Sequence, residues 1–364
     1  MVRLTFIWRA CALSTLLLAL HSAPADAAKP RAKPVAQKKL ATPTAGALYA
    51  TRAEVMQAAD AIAERRGLDR AWVRQAIGGA RQLPQAARWV LPPPSGTAKN
   101  WRVYRSRFID PVRIAAGVAF WRANAATLER AQNEFGVPAE IIVGIIGVET
   151  IYGRDMGNFR VIDALCTLSF DFPQAHPRAQ ERRGFFLAEL EQLLALAFRS
   201  GSKPEDFKGS FAGAMGIPQF MPSSWVRHAV DFDGDGRIDL FNSNADAIGS
   251  VANYFKAFGW RTGVPTHYAA QFDPATLDLD ALLAPDILPT FSAASMGAKG
   301  LLLDEAAAQH TGPLALVELH NGAASPSYVV GTENFYVITR YNWSSYYAMA
   351  VIELGQEVAR ALRR

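Results

Sequence analysis

The stretch VPAEIIVGIIGVETIYGR, Val137 to Arg154, sets a single carboxylate among isoleucines. Pro138 suits a first helical position, and Glu140 suits the first turn, where a negative charge meets the positive end of the helix dipole. Gly153 offers a stop. Counting back from Glu149, Ile145 lies four residues earlier, Ile142 seven and Ile141 eight, which puts all of them on one face of an α-helix. Glu149 therefore points where the isoleucines point, towards an interior or a cleft. Desolvation there penalises the charged form and raises its pKa. A carboxylic acid still protonated near neutral pH is what a general acid needs for glycoside cleavage. The residues alone leave a second reading open: a structural glutamate paired with Arg154 or held by backbone groups.

A second stretch, DFDGDGRIDLFNSNAD, Asp231 to Asp246, alternates aspartates in the manner of an EF-hand loop. Asp231, Asp233, Asp235 and Asp239 take loop positions 1, 3, 5 and 9, with Gly236 at the bend and the backbone carbonyl of Arg237 at position 7. Position 12 is Asn242, where an EF-hand places a bidentate glutamate. A calcium sensor would carry a second such loop and open a Met-rich groove, and no second loop is found in the sequence. Structural calcium binding is the expectation, with an empty acidic turn as the alternative.

The 364 residues suffice for more than one packed unit. Arg3 and Arg9, the apolar run Ala10–Leu20 and the Ala25-Asp26-Ala27 motif give residues 1–27 the form of a secretory signal peptide. Residues around Cys11 do not look like a lipoprotein acylation site, so an exported, periplasmic protein without a lipid anchor is expected. Residues 28–47, rich in Lys, Pro and Ala, read as a disordered basic linker. The net charge of +5 is concentrated in residues 1–47, which carry +6 and leave −1 for the remainder. That balance argues against nucleic-acid binding. Cys166, the second of two cysteines, sits in an apolar run and reads as a buried small hydrophobe without a disulfide partner.

From Leu48 to about Phe135 the pattern is mostly helical, broken by Leu91-Pro92-Pro93-Pro94. Between Pro138 and Gly259 strong helices alternate with Gly/Pro loops, including a helix over Asp246–Phe258. The texture changes near Thr262, and short strands are expected at Leu314–Leu319, Tyr328–Val330 and Phe335–Ile338. Tyr346–Leu362 is helical again. The expected organisation is mainly α (α+β): a core over 48–261, a small antiparallel β-containing insertion over 262–338, and a returning segment over 339–364. The motifs of serine hydrolases, nucleotide-binding folds and zinc proteases are missing from the sequence.

Five segments, PAEIIVGIIGVET, GSFAGAMGIPQFMPSSW, VDFDGDGRIDL, DAIGSVANYFKAFGW and NFYVITRYNWSSYYAMAV, occur here in order. In them the chain resembles the membrane-bound lytic murein transglycosylase B family, over about Tyr104 to Leu362. The resemblance implies a lysozyme-like helical core with an EF-hand-like metal loop. It implies non-hydrolytic cleavage of the MurNAc–GlcNAc β-1,4 bond of peptidoglycan glycan strands, leaving 1,6-anhydro ends. Glu149 corresponds to the family's single catalytic glutamate, acid then base, with no catalytic cofactor. Tyr104, Ser210, Gln219, Tyr254, Tyr341, Asn342 and Tyr347 fall on its substrate-cleft positions. Asp246 falls where the family's long loop ends on an aspartate that closes the calcium site; an N-cap for the following helix is the other reading. A monomer is expected. A hydrolytic muramidase, with Asp155 or Asp163 as second carboxylate, and a non-catalytic calcium-dependent wall-binding protein are the competing readings.

Overall fold

The computed structural model describes residues 46–92 and 99–364. The expected signal peptide and all but the last two residues of the expected linker lie outside the described residues. The chain opens with short helices that wrap the later core: α1 (Ala53–Arg66), α2 (Arg70–Gly78), α3 (Pro84–Trp89), α4 (Trp101–Arg105), α5 (Pro111–Ala123) and α6 (Ala125–Phe135). Local chemistry sets their ends. Asp69 caps α2 by accepting from the Trp72 amide, and Asp110 caps α5 by accepting from Val112 and Arg113.

The next helix, α7 (Ala139–Thr150), is the centre of the molecule. Every residue in it is buried except Glu140 and Glu149, so an apolar helix is surrounded on all sides by protein. Pro138 is the N-cap and not the first helical residue, and the helix stops at Thr150, before Gly153. Ile151 and Tyr152 both take positive φ, at 50° and 58°, a conformation that L-residues with side chains seldom adopt. That turn throws the chain sharply away just after Glu149.

Beyond it come β1 (Phe159–Arg160), α8 (Val161–Phe170), α9 (Ala179–Ser200), β2 (Lys208–Gly209), α10 (Pro222–His228) and α11 (Asn244–Ala257). β1 and β2 pair antiparallel, Phe159 opposite Gly209. The helix expected over Asp246–Phe258 begins two residues earlier, with Ser243 as N-cap accepting from the Asp246 amide. Cys166 lies fully buried in α8, and burial raises its thiol pKa well above the usual range.

The insertion contains β3 (His267–Ala269), β4 (Gln271–Phe272), α12 (Leu279–Leu283), α13 (Ala293–Ala298), β5 (Leu301–Leu302), α14 (Glu305–Ala308), β6 (Ala315–Asn321) and β7 (Ala324–Gly331). β3, β7 and β6 form an antiparallel sheet in that order, and β4 pairs with β5. The two-residue period of β6 lets it serve two cores. Ala315, Val317 and Leu319 pack into the main core, while Leu316 packs with Leu282, Met296, Leu301 and Val330 in the insertion.

Two helices complete the chain, α15 (Glu333–Thr339) and α16 (Ser345–Leu362). The strand expected at Phe335–Ile338 is a correction: these residues are helical, in α15. Thr332 caps that helix by accepting from the Asn334 amide, and Phe335, Val337 and Ile338 turn into the main core. A short apolar run does not distinguish strand from helix, and the cap decides it. α16 crosses α7 at close range. A Cβ on Gly144 would lie 2.2 Å from the Val351 carbonyl oxygen, and one on Gly355 would lie 2.1 Å from that of Glu140. Glycines at both sites of the crossing let the backbones touch, which brings the start of α16 beside the end of α7.

Candidate active site

Glu149 occupies the last turn of α7 and keeps a partial opening to solvent. Its one hydrogen-bond partner among the described residues is Tyr347, in the first turn of α16, whose hydroxyl donates to Oε1 at 2.5 Å. Burial raises the Glu149 pKa from 4.5 to about 7, and the Tyr347 hydrogen bond acts in the opposite sense. The carbonyl end of the helix dipole adds to the bias against the anion. Arg154, the alternative partner, is exposed to solvent and does not pair with it. The acid is therefore poised to exist in both protonation states near neutral pH.

Tyr347 is 1% exposed and sits behind the carboxylate, away from bulk solvent. Ser344 caps α16 and accepts from the Tyr347 amide, which fixes the first turn. Tyr341 lies nearly parallel to Tyr347, with ring centroids 6.5 Å apart, and its hydroxyl donates to the Pro218 carbonyl. Tyr254, on α11, packs against Tyr341 at 4.8 Å between centroids and donates its hydroxyl to the Arg340 carbonyl. Burial and the Glu149 charge together raise the pKa of Tyr347 and Tyr341 well above the ordinary phenol value. These hydroxyls stay protonated and act as donors.

The Gly/Pro loop between β2 and α10 forms the other wall. Ser210 Oγ accepts from the Ala212 and Ala214 amides, so it shapes the loop while its own proton remains for another partner. Gln219 adopts φ of 53° and donates Nε2 to the Met156 and Gly216 carbonyls. That left-handed backbone is sparsely populated by residues with side chains, and the two hydrogen bonds help hold it. Tyr104 stacks on Trp101 and meets Tyr346 edge-on, close enough to Tyr347 to influence its titration. Asn342 is buried just before α16.

Of the residues singled out in the sequence, Glu149, Ser210, Gln219, Tyr341 and Tyr104 keep surface open to a ligand. Tyr254, Asn342 and Tyr347 are buried behind them. Two residues that sequence reasoning missed hold the loop in place. Thr150, fully buried, donates to the Ile217 carbonyl at 2.8 Å and accepts from the Gly153 amide. Glu189, on α9, receives both the amide and the hydroxyl of Ser223 at the start of α10. Asp163 is engaged elsewhere, with the Arg81 amide and the Arg160 guanidinium, and Asp155 is exposed. Neither contributes to the titration of Glu149.

In the acidic loop, carboxylate oxygens of Asp231, Asp233 and Asp246 lie within 4.8 Å of one another. Asp246 accepts from the Phe232 and Asp239 amides and does not cap α11, a role that falls to Ser243. Asp235 turns back on the Arg237 amide, and Asp239 is occupied by the Phe241 and Asn242 amides; neither joins the cluster. The Leu240 carbonyl accepts from Ile217, the residue whose own carbonyl binds Thr150. A continuous chain of hydrogen bonds thus runs from the acidic loop through the Gly/Pro loop to the residue beside Glu149.

A helical core carrying one acid of raised pKa, tyrosines behind it and a close-packed loop opposite defines a lysozyme-like, glycan-cleaving enzyme. Comparison with known proteins narrows this. Residues 50–356 match the transglycosylase SLT domain, and the chain belongs to that family. It is 42% identical to the membrane-bound lytic murein transglycosylase B of Escherichia coli over 325 residues, 87% of this chain and 85% of the relative. The E. coli lytic transglycosylase Slt35 in complex with calcium superposes with a TM-score of 0.76 at 41% identity, covering 88% of this chain and 96% of that one. Pseudomonas aeruginosa SltB3, in complex with NAG-anhNAM-pentapeptide, gives a TM-score of 0.67 at 28% identity, covering 83% and 79%.

Proposed function

We propose that Glu149 serves this lytic transglycosylase as the sole proton carrier, first acid and then base, in cutting the MurNAc–GlcNAc β-1,4 bond of peptidoglycan. The protonated carboxyl gives its proton to the glycosidic oxygen as the bond from that oxygen to C1 of MurNAc breaks. The carboxylate then takes the proton of the MurNAc O6 hydroxyl, whose oxygen bonds to C1 and closes a 1,6-anhydro ring. The nucleophile belongs to the substrate, so no second carboxylate is needed. The observation that carries this reading is the isolation of Glu149, raised to about 7 by burial with no second carboxylate acting on it. A group of that pKa can both give and take a proton near neutrality. Tyr347 holds the carboxylate from behind, while Ser210, Gln219, Tyr341 and Tyr104 offer polar and aromatic surface to the sugars. Tyr254 and Asn342 support that surface from the second tier. The expected export places the enzyme in the periplasm, beside the polymer.

The acidic loop presents oxygen donors only, which suits a hard divalent cation such as calcium. Asp231, Asp233 and Asp246 would hold it with the Arg237 carbonyl, joined by Asp235 and Asp239 once their present hydrogen bonds are exchanged. When bound, the ion supplies structural charge neutralisation and no chemistry. Replacing Glu149 by Gln tests the catalytic reading. The variant should bind purified glycan strands and release no fragments; fragment release at the wild-type rate would exclude the assignment.

A further inference from the structure

Trp89, the last residue of α3, stands apart from the packed core. It is 48% exposed, and it crosses the rings of Phe159 and Phe211 nearly at right angles, at 5.9 and 5.3 Å between centroids. Leu83, just before α3, and Ala86 within it pack on Ala164 together with those two phenylalanines. The indole is thus held in place from below and left open above. Isolated apolar residues on a surface are ordinary, but this one is joined to the active-site wall. Phe211 follows Ser210 directly in the Gly/Pro loop. Phe159 sits opposite Gly209 across the β1–β2 pair, and three residues before it the Met156 carbonyl receives Gln219. The aromatic cluster therefore continues the wall that carries Ser210 and Gln219.

We infer that Trp89, braced by Phe159 and Phe211, is a stacking platform for a saccharide ring of the glycan strand away from the scissile bond. An aromatic ring with an apolar body and one N–H matches the C–H face and hydroxyl rim of a pyranose. A polymer that threads past Glu149 must leave the cleft along one of its walls, and this one carries an open indole. The inference rests on the glycan-cleaving reading above.

The test compares glycan fragments of increasing length with wild type, Trp89→Ala and Trp89→Phe, alongside melting temperatures. For long strands Trp89→Ala should lose about tenfold in kcat/KM, chiefly through KM, the worth of one aromatic contact. The shortest cleavable fragment should be processed within about twofold of wild type, and Trp89→Phe should recover most of the loss. Equal kcat/KM at every length would overturn the platform. So would an equal loss at every length accompanied by a lower melting temperature, which would make Trp89 a cover for the phenylalanines. Binding of long strands by Glu149→Gln and by Glu149→Gln/Trp89→Ala separates this proposal from the catalytic one. If wild type cleaves no glycan but the second variant binds less tightly than the first, the reaction assigned to Glu149 fails and the platform stands; equal binding by the two removes the platform.

Discussion

Replacing Glu149 by Gln should make the protein more stable in alkaline solution than the wild type. In the unfolded chain the carboxyl titrates near 4.5, and in the folded protein burial moves it to about 7. Between those values the native state holds a proton that the unfolded state has lost. Its contribution to stability is fully present below pH 4.5 and disappears as pH rises through about 7. The shift corresponds to about 3 kcal/mol at most, at 1.36 kcal/mol per pH unit. The substituted amide would be neutral throughout and keep an oxygen that accepts from Tyr347. The two proteins should therefore have matching unfolding free energies near pH 4 and diverge by about 3 kcal/mol near pH 8.5, the variant being the more stable. Urea denaturation at both pH values, followed by far-UV circular dichroism, measures the difference. Parallel pH profiles for the two proteins would refute the claim that burial holds this acid protonated.

Tyr347→Phe removes the hydroxyl that favours the Glu149 anion, so the acid's pKa should rise further. The alkaline limb of the pH–rate profile should move up by about one unit while kcat falls about tenfold, from the loss of one hydrogen bond to a charged group; an unmoved limb contradicts the pairing. Gly144→Ala pushes a methyl into the Val351 carbonyl at the α7–α16 crossing and should cost about 3 kcal/mol, read as a lower urea midpoint. Wild-type stability there would mean the helices can part without loss. Chelation of divalent cations should lower the melting temperature by several degrees and leave kcat within about threefold, since an ion held in the acidic loop would neutralise aspartates and touch no reacting atom. Identical melting curves with EDTA and with added calcium would remove the ion from the account.

Much of this site is legible along the chain because one residue's neighbours in a helix are fixed by the 3.6-residue period. That period sets Glu149 on the face of the isoleucines, all of which are buried in α7, while the catalytic role proposed for it comes from the family resemblance. Contacts across the fold are not assignable in the same way. Tyr347 is 198 positions from Glu149, and only the glycine crossing of α7 and α16 brings them together. The roles of Thr150 and Glu189 carry no local signature, because each binds backbone or serine in a distant loop. The aspartate alternation points to an acidic loop but not to which carboxylates cluster in it, since Asp235 and Asp239 satisfy nearby amides. At Phe335–Ile338 the apolar run has the look of a strand, and the capping Thr332 with the pull of the main core makes it a helix.

In the proposed reaction the substrate's own hydroxyl, and not water, attacks C1 after Glu149 has protonated the leaving oxygen. Purified glycan strands, digested by the wild-type protein and analysed by mass spectrometry, test it directly. The expected products are MurNAc ends lacking one water relative to reducing ends, as 1,6-anhydro rings. Reducing ends as the product would contradict it and require a second base to activate water at this site.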